Sequence, residues 1–226
     1  MAEFEVNGVT LTVPDDFLTR RISEKLGSGG YEGQEADAVR RRLRPGWRVL
    51  ELGSGIGYVA SVCAGITGAE NVVTVEANPD MLPVVRDNLD RNGFKGTHVI
   101  HGAVGGRAEP GETVEFENAK AFWGAHIATE DSAGGSFVSV PLLGIADLLK
   151  AHRPHMVIMD IEGAEAHLFD APWPEHVRSV VMELHPGRYP DTVIKAIVDC
   201  LSASGLTYDP WPSCGRILGF RRLRHA

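Results

Sequence analysis

Apolar and polar positions alternate singly in "FEVNGVTLTV" (residues 4–13), with Asn7-Gly8 at the midpoint. That pattern predicts a β-hairpin closed by a tight primed turn. "FLTRRISEKL" changes to helical spacing and stops at "GSGG" (27–30). "YEGQEADAVRRRLRPG" has its acids early and its arginines late, as a helix dipole favours, and ends at Pro45-Gly46. From Trp47 the rhythm becomes strand, helix, strand. "WRVLEL", "NVVTVEA" and "THVIHGAV" read as buried strands, and "YVASVCAGI" and "PDMLPVVRDNLDRNGF" as the helices between them, the second opened by Pro79.

Residues 106–140 break the rhythm with "ETVEFEN", "GAHIATED" and "SFVSVP", short β-like pieces that predict an insertion over one sheet edge. The alternation resumes with helix "LLGIADLLKAH", strand "HMVIMDI", short helix "EGAEAHLF" and strand "SVVMELH". A last helix, "DTVIKAIVDCLSASG", places Val193, Ile194, Ile197, Val198 and Leu201 on one face. "LTYDPW" and "RILGFRRL" then pair as an antiparallel hairpin at the edge. Strands alternating with helices imply right-handed crossovers and a mostly parallel sheet covered on both faces. The expected fold is α/β and Rossmann-like: seven strands, helices on both faces, an N-terminal hairpin and a β-rich insertion at about 106–140. It is expected to form one domain over 1–226, with 1–46 covering a ligand bound by the core at 47–226.

Composition narrows the class. At 226 residues and 43% hydrophobic content, one domain has enough apolar surface to bury. A net charge of −8 argues against a nucleic-acid partner, and the arginines near the C-terminus (Arg216, Arg221, Arg222, Arg224) read as solvated strand residues. The acidic N-terminus lacks signal-peptide character, and no apolar run approaches a membrane span. Cys63, Cys200 and Cys214 match neither zinc nor disulfide spacing. The expectation is a cytoplasmic protein with three packing cysteines, no membrane or nucleic-acid partner, and a homodimer as the alternative to a monomer.

"VLELGSGIGYVA" (49–60) carries the chemistry. A glycine-rich bend between the first strand and its helix lets backbone approach a ligand. The dinucleotide fingerprint needs glycine where Tyr58 stands, and Glu51 beside the bend would repel a pyrophosphate. An acid there suits a ligand carrying an ammonium and a sulfonium, so S-adenosylmethionine is expected over NAD. Glu76, 23 residues beyond Gly53 at the second strand's end, suits ribose hydroxyls. Ala103 and Val104 fall where an adenine would lie.

Two-residue spacing puts Asp160 with Glu162, and Glu183 with His185, at the ends of adjacent strands. Clustered acids with an imidazole shift one another's protonation. His185 is the expected general base, with Asp160 or Glu162 in reserve. Asp160, Glu183 and His185 form an alternative divalent-ion site, ranked behind a metal-free reading. Trp123 and His126 on the insertion, with Glu183, are the expected acceptor contacts, and Phe122 reads equally as insertion core.

"GGYEGQE", "VLELGSGIGYVA", "VVTVEANPDMLPVVRDNLDRNG", "HMVIMDIEGAE" and "VVMELHP" together resemble the FkbM-type class I S-adenosylmethionine-dependent methyltransferases over roughly 29–186. The insertion matches that family only loosely. The resemblance implies that Glu51, Gly53, Ser54 and Gly55 face the methionine part and its turn. It implies that Glu76 and Ala77 hold the ribose, that Ala103 lies under the adenine, and that Tyr31 and Glu32 close over the methionine end. It also implies O-methylation of a small-molecule hydroxyl. Alternatives are N-methylation of a small molecule or peptide, a metal-assisted O-methyltransferase, a nicotinamide oxidoreductase and a cofactor-binding module without turnover.

Overall fold

The computed structural model describes residues 1–118, 126–127 and 136–223. Strands β1 (Ala2–Val6) and β2 (Val9–Val13) form the expected hairpin, with Asn7 and Gly8 both at positive φ (49° and 86°). Helices α1 (Arg20–Gly27) and α2 (Gly33–Arg42) follow. The core then runs β3 (Val49–Leu52), α3 (Tyr58–Thr67), β4 (Val72–Glu76), α4 (Leu82–Arg91) and β5 (His98–His101). Next come β6 (Ala103–Gly105), β7 (Thr113–Asn118), β8 (His126–Ile127), β9 (Ser136–Gly144) and α5 (Ile145–His152). The chain closes with β10 (Met156–Met159), β11 (Ser179–Glu183), α6 (Asp191–Ala203), β12 (Leu206–Tyr208) and β13 (Ile217–Arg222).

Seven strands join in the order β12-β13-β11-β10-β3-β4-β5. β5, β4, β3, β10 and β11 are parallel, and β13 runs antiparallel to both β11 and β12. The strand order reverses between β3 and β10, which opens a crevice at their carboxyl ends. The two faces are covered separately. Val49, Met156 and Ile158 pack with α1–α4 and the hairpin on one side; Leu50, Leu52, Val157 and Met159 pack with α5 and α6 on the other. Burial on both faces is why these strands read as continuous apolar runs.

The hairpin docks in a way no local pattern foretells. The outward edge of β2 meets helix α4, not another strand. Asn88 Oδ1 accepts from the Thr12 amide at 2.7 Å, and Asn88 Nδ2 donates to the Thr12 carbonyl at 3.1 Å. One turn on, Asn92 repeats the exchange with Thr10, at 2.9 and 2.7 Å. Two amide side chains thus satisfy an edge that would otherwise leave backbone groups unpaired.

Several boundaries differ from expectation. "THVIHGAV" is two strands, because at Gly102 the chain leaves the main sheet for a second one ordered β6-β9-β7-β8. A Cβ on Gly102 would meet the Pro141 carbonyl oxygen at 2.9 Å, so the crossing needs glycine. Leu142–Gly144 pair with β6 and belong to β9, so α5 starts three residues later than its sequence suggested. Helix α4 begins at Leu82 with Pro83 in its first turn; Pro79 lies in the turn before it. Val198 is 37% exposed, leaving Ile197 and Leu201 as the buried stripe of α6. Of the cysteines, Cys63 is buried but Cys214 is exposed, so the latter does not pack. Among the described residues no helix is long and apolar enough to cross a membrane.

Candidate active site

Between β3 and α3 the chain makes a turn in which Gly53, Gly55 and Gly57 all have positive φ (88°, 54° and 83°). Gly53 is also a contact point. A Cβ there would lie 2.1 Å from the Asp160 carbonyl oxygen at the end of β10, so only glycine lets the two strand ends meet. Glu76, at the end of β4, holds the turn open. Its Oε2 accepts from the Ser54 and Gly55 amides at 3.1 Å each, and its Oε1 accepts from the Asn78 amide at 2.8 Å. Burial pushes Glu76 up to about 7, against the pull of those donors. Three accepted bonds leave the carboxylate a lone pair for a ligand hydroxyl.

The other wall is the loop after β10, "DIEGAE". Glu165 is fully buried at its centre. It accepts from the Ile161 and Gly163 amides at 3.0 and 2.9 Å and lies 3.1 Å from His185 Nδ1. That wiring curls the loop and holds Glu162 at a φ of 53°. Facing it, Glu32 caps α2 at a φ of 43°. Two of the four non-glycine residues with positive φ therefore border this cleft, where backbone strain marks function more often than elsewhere.

His185 is 5% exposed, with Nε2 at 3.4 Å from Asp160 and 3.6 Å from Glu162. Burial disfavours its charge, but the hydrogen bond to Glu165 and the charges of Glu165, Asp160 and Glu162 outweigh that and raise it to about 9. A raised value favours the protonated ring, which places His185 among three carboxylates as a hydrogen-bonding partner as well as the expected base. Asp160 is raised well above the usual carboxylate range, by burial first and then by Glu183 and Glu162 against the lowering effect of His185. Its Oδ1 is buried with no hydrogen bond.

The cleft enclosed by these walls measures about 740 Å³ out to its open mouth. Tyr31, Glu32, Gly53 and Gly55 line it at one end; Glu76, Ala77, Ala103 and Val104 line it at the other. Asp160 and Glu162 border it beside the first group. Among the described residues its lining has four carboxylates and no lysine or arginine. Glu51 is 2% exposed and Ser54 1%, and their side chains are joined through Thr74. Burial raises Glu51 to about 8. Glu183 is paired with Arg216 and is not part of the lining. Trp123 and Phe122 lie outside the described residues, as does the His126 side chain.

Three residues that sequence reasoning passed over shape the site. Glu165 was visible as the last acid of "DIEGAE" but gave no sign of being its hub. Phe116, buried against Ala103 and Val140, closes the apolar end. Tyr58 is fully buried, and its hydroxyl receives Asn7 Nδ2 at 3.1 Å and Arg40 Nη2 at 3.3 Å. It also packs edge-on to Tyr31 and so seats the N-terminal cover over the glycine turn. As metal donors the acids form two overlapping trios, Asp160 with Glu162 and His185, and Glu35 with Asp160 and Glu183.

Comparison with known proteins bears on one side of this site. Residues 34–109 match the family of protein-L-isoaspartate(D-aspartate) O-methyltransferases. A protein-L-isoaspartate O-methyltransferase from Methanococcoides burtonii is 39% identical over 61 residues, which cover 26% of this chain and 30% of that protein. One from Methanocella arvoryzae is 45% identical over 59 residues, covering 26% of this chain and 31% of its own. The matches thus span less than a third of those relatives' length. A solved Streptococcus mutans protein assigned as a SAM-dependent methyltransferase superposes with a TM-score of 0.50 at 9% identity, over 97% of this chain and 55% of its own. The architecture is the Rossmann-like class I methyltransferase fold. The matching family is a different one from the FkbM type that the motifs resemble.

Proposed function

We propose that this chain is an S-adenosylmethionine-dependent methyltransferase that methylates a hydroxyl of a small molecule, with Asp160 as general base. The observation that carries the reading is the lining of the cleft among the described residues: four carboxylates, no lysine or arginine, and Glu76 bonded to the amides of the glycine turn. Such a surface attracts a sulfonium and an ammonium and repels a diphosphate. When bound, the cofactor supplies an electrophilic methyl group. Ala77, Ala103 and Phe116 provide the slot for its adenine, Glu76 the acceptor for its ribose, and Tyr31 and Glu32 the cover at its methionine end.

Asp160 borders the cleft, and its Oδ1 makes no hydrogen bond while lying 3.4 Å from His185 Nε2, so its carboxylate is the group we assign to take the acceptor hydroxyl's proton as the oxygen attacks. Its raised pKa makes it a stronger base than an ordinary carboxylate once ionised, and a cation beside it favours that ionised state. Glu165 and His185 fix its position.

An isoaspartyl acceptor is not the reading we favour. The family match stops at residue 109, before Asp160, Glu162, Glu165 and His185. A carboxylate acceptor would also meet Asp160 and Glu162 at close range. The FkbM-type assignment is supported by "DIEGAE", whose residues fold into one hydrogen-bonded unit against the cleft. Calorimetric titration tests the reading: S-adenosylhomocysteine is expected to bind and NAD to give no heat. Binding of NAD alone would overturn it.

A further inference from the structure

A second cavity lies on the face of the sheet that α5 covers, between α5 and the chain that follows the 164–167 turn. It encloses about 1080 Å³ out to its mouth. The floor is apolar, formed by Ile145, Leu149, Leu168 and Trp173, all buried in the core beneath. The rim is cationic, with Arg107, Lys150 and Arg153 against the single acid Asp170. That is the reverse of the first cleft, and it stands out in a chain of net charge −8. None of the three cations has an ion pair with another described residue.

A second observation comes from inside the cavity. His176 lines it, and its Nε2 is buried without a hydrogen-bond partner. A buried polar atom left unpaired needs a partner from somewhere. The surroundings are positive beyond the rim as well. Burial and then Arg153, Arg48 and Arg222 hold His176 below its ordinary value, and burial with Arg48 and Arg178 does the same for His155.

We propose that this cavity binds a small organic anion, an apolar body carrying a carboxylate, phosphate or sulfonate at one end. The body covers the Trp173 and Leu168 floor, and the anionic head meets Lys150, Arg153 and Arg107. A carboxylic or phosphoric head that arrives protonated donates to His176 Nε2; a head that arrives as the anion, a sulfonate included, is met by an N–H formed when Nε2 takes a proton from water, so the proton count balances either way. Concavity and an apolar floor favour this ligand over a polyanion backbone, which needs charge but no greasy pocket.

The test is a fluorescence titration of the full chain with 8-anilinonaphthalene-1-sulfonate and with the neutral N-phenyl-1-naphthylamine. The sulfonate is expected to bind saturably at one site and to be displaced by dodecanoate. In the double variant Lys150→Glu, Arg153→Glu its affinity should fall about tenfold or more, while the neutral dye changes less than about twofold. Both side chains are exposed, so the variant should melt like the parent. Ala146→Trp, from the exposed side of the lining, should weaken both dyes. No saturable binding, equal binding of the sulfonate by parent and double variant, or displacement by an oligonucleotide but not by dodecanoate would each overturn the proposal.

Discussion

Glu76 and Asp160 are both carboxylates at the carboxyl ends of parallel strands, on either side of one cleft, yet they are held differently. Glu76 is held by three backbone amides, two from the turn it supports and one from Asn78. Asp160 has a buried oxygen with no hydrogen bond and is surrounded by other side-chain charges. Backbone donors fix a carboxylate for recognition, because they neither titrate nor move. Side-chain charges leave one responsive, because each neighbour's protonation changes its own. The comparison separates a wall that binds from a wall that reacts.

The strongest break of this arrangement is at the point where the two walls touch. Gly53→Ala would force a Cβ onto the Asp160 carbonyl at a φ of 88°. S-adenosylhomocysteine binding should fall by about a thousandfold or more, with a loss of several kcal/mol in stability, read by calorimetry and urea melts. Asp160→Asn should leave the glycine wall intact. Turnover of an accepted hydroxyl should fall about a hundredfold, with cofactor affinity changed less than about tenfold. A larger loss of affinity than of turnover would move Asp160 from the reacting wall to the binding one.

Glu165→Gln gives an intermediate effect and a pH signature. His185 is raised to about 9 in the fold, and Glu76 and Glu51 to about 7 and 8. Each binds protons more tightly folded than unfolded, so each contributes stability that is present at low pH. The histidine's share is lost as pH climbs from its unfolded value through about 9, the carboxylates' as it passes about 7 and 8. The unliganded chain should therefore melt several degrees higher at pH 6 than at pH 9. In the Gln variant the His185 pKa, followed by NMR, should drop by about a unit or more and the upper part of that slope should flatten. The smallest effect compares two ligands. S-adenosylmethionine carries one more positive charge than its demethylated product, so raising the pH from 6 to 8 should tighten the former over the latter by a few-fold and release protons on binding.

The order of elements was legible because both-face burial and glycine punctuation are written locally. "VLELGSGIGYVA" could be read as a ligand turn on sight, and Glu76 by its spacing. What could not be read depended on distant partners. Gly102 diverts the chain because Pro141 waits beside it. Glu51 was read as a charge, but its burial, which raises it to about 8, is set by the elements packed over it. His185 was read as a base from its own strand alone, and the contact that raises its pKa, with Glu165, comes from "DIEGAE" on a neighbouring loop. Asn88 and Asn92 gave no sign that they replace a strand.

Those two asparagines have a consequence of their own. Asn92 precedes Gly93, a dipeptide prone to losing side-chain ammonia with age. The product would point an anion at the Thr10 carbonyl where a donor stood. The hairpin's grip on helix α4 then weakens from a chemical clock built into its own fastening, and older molecules should shed that N-terminal cover before the sheet beneath them fails.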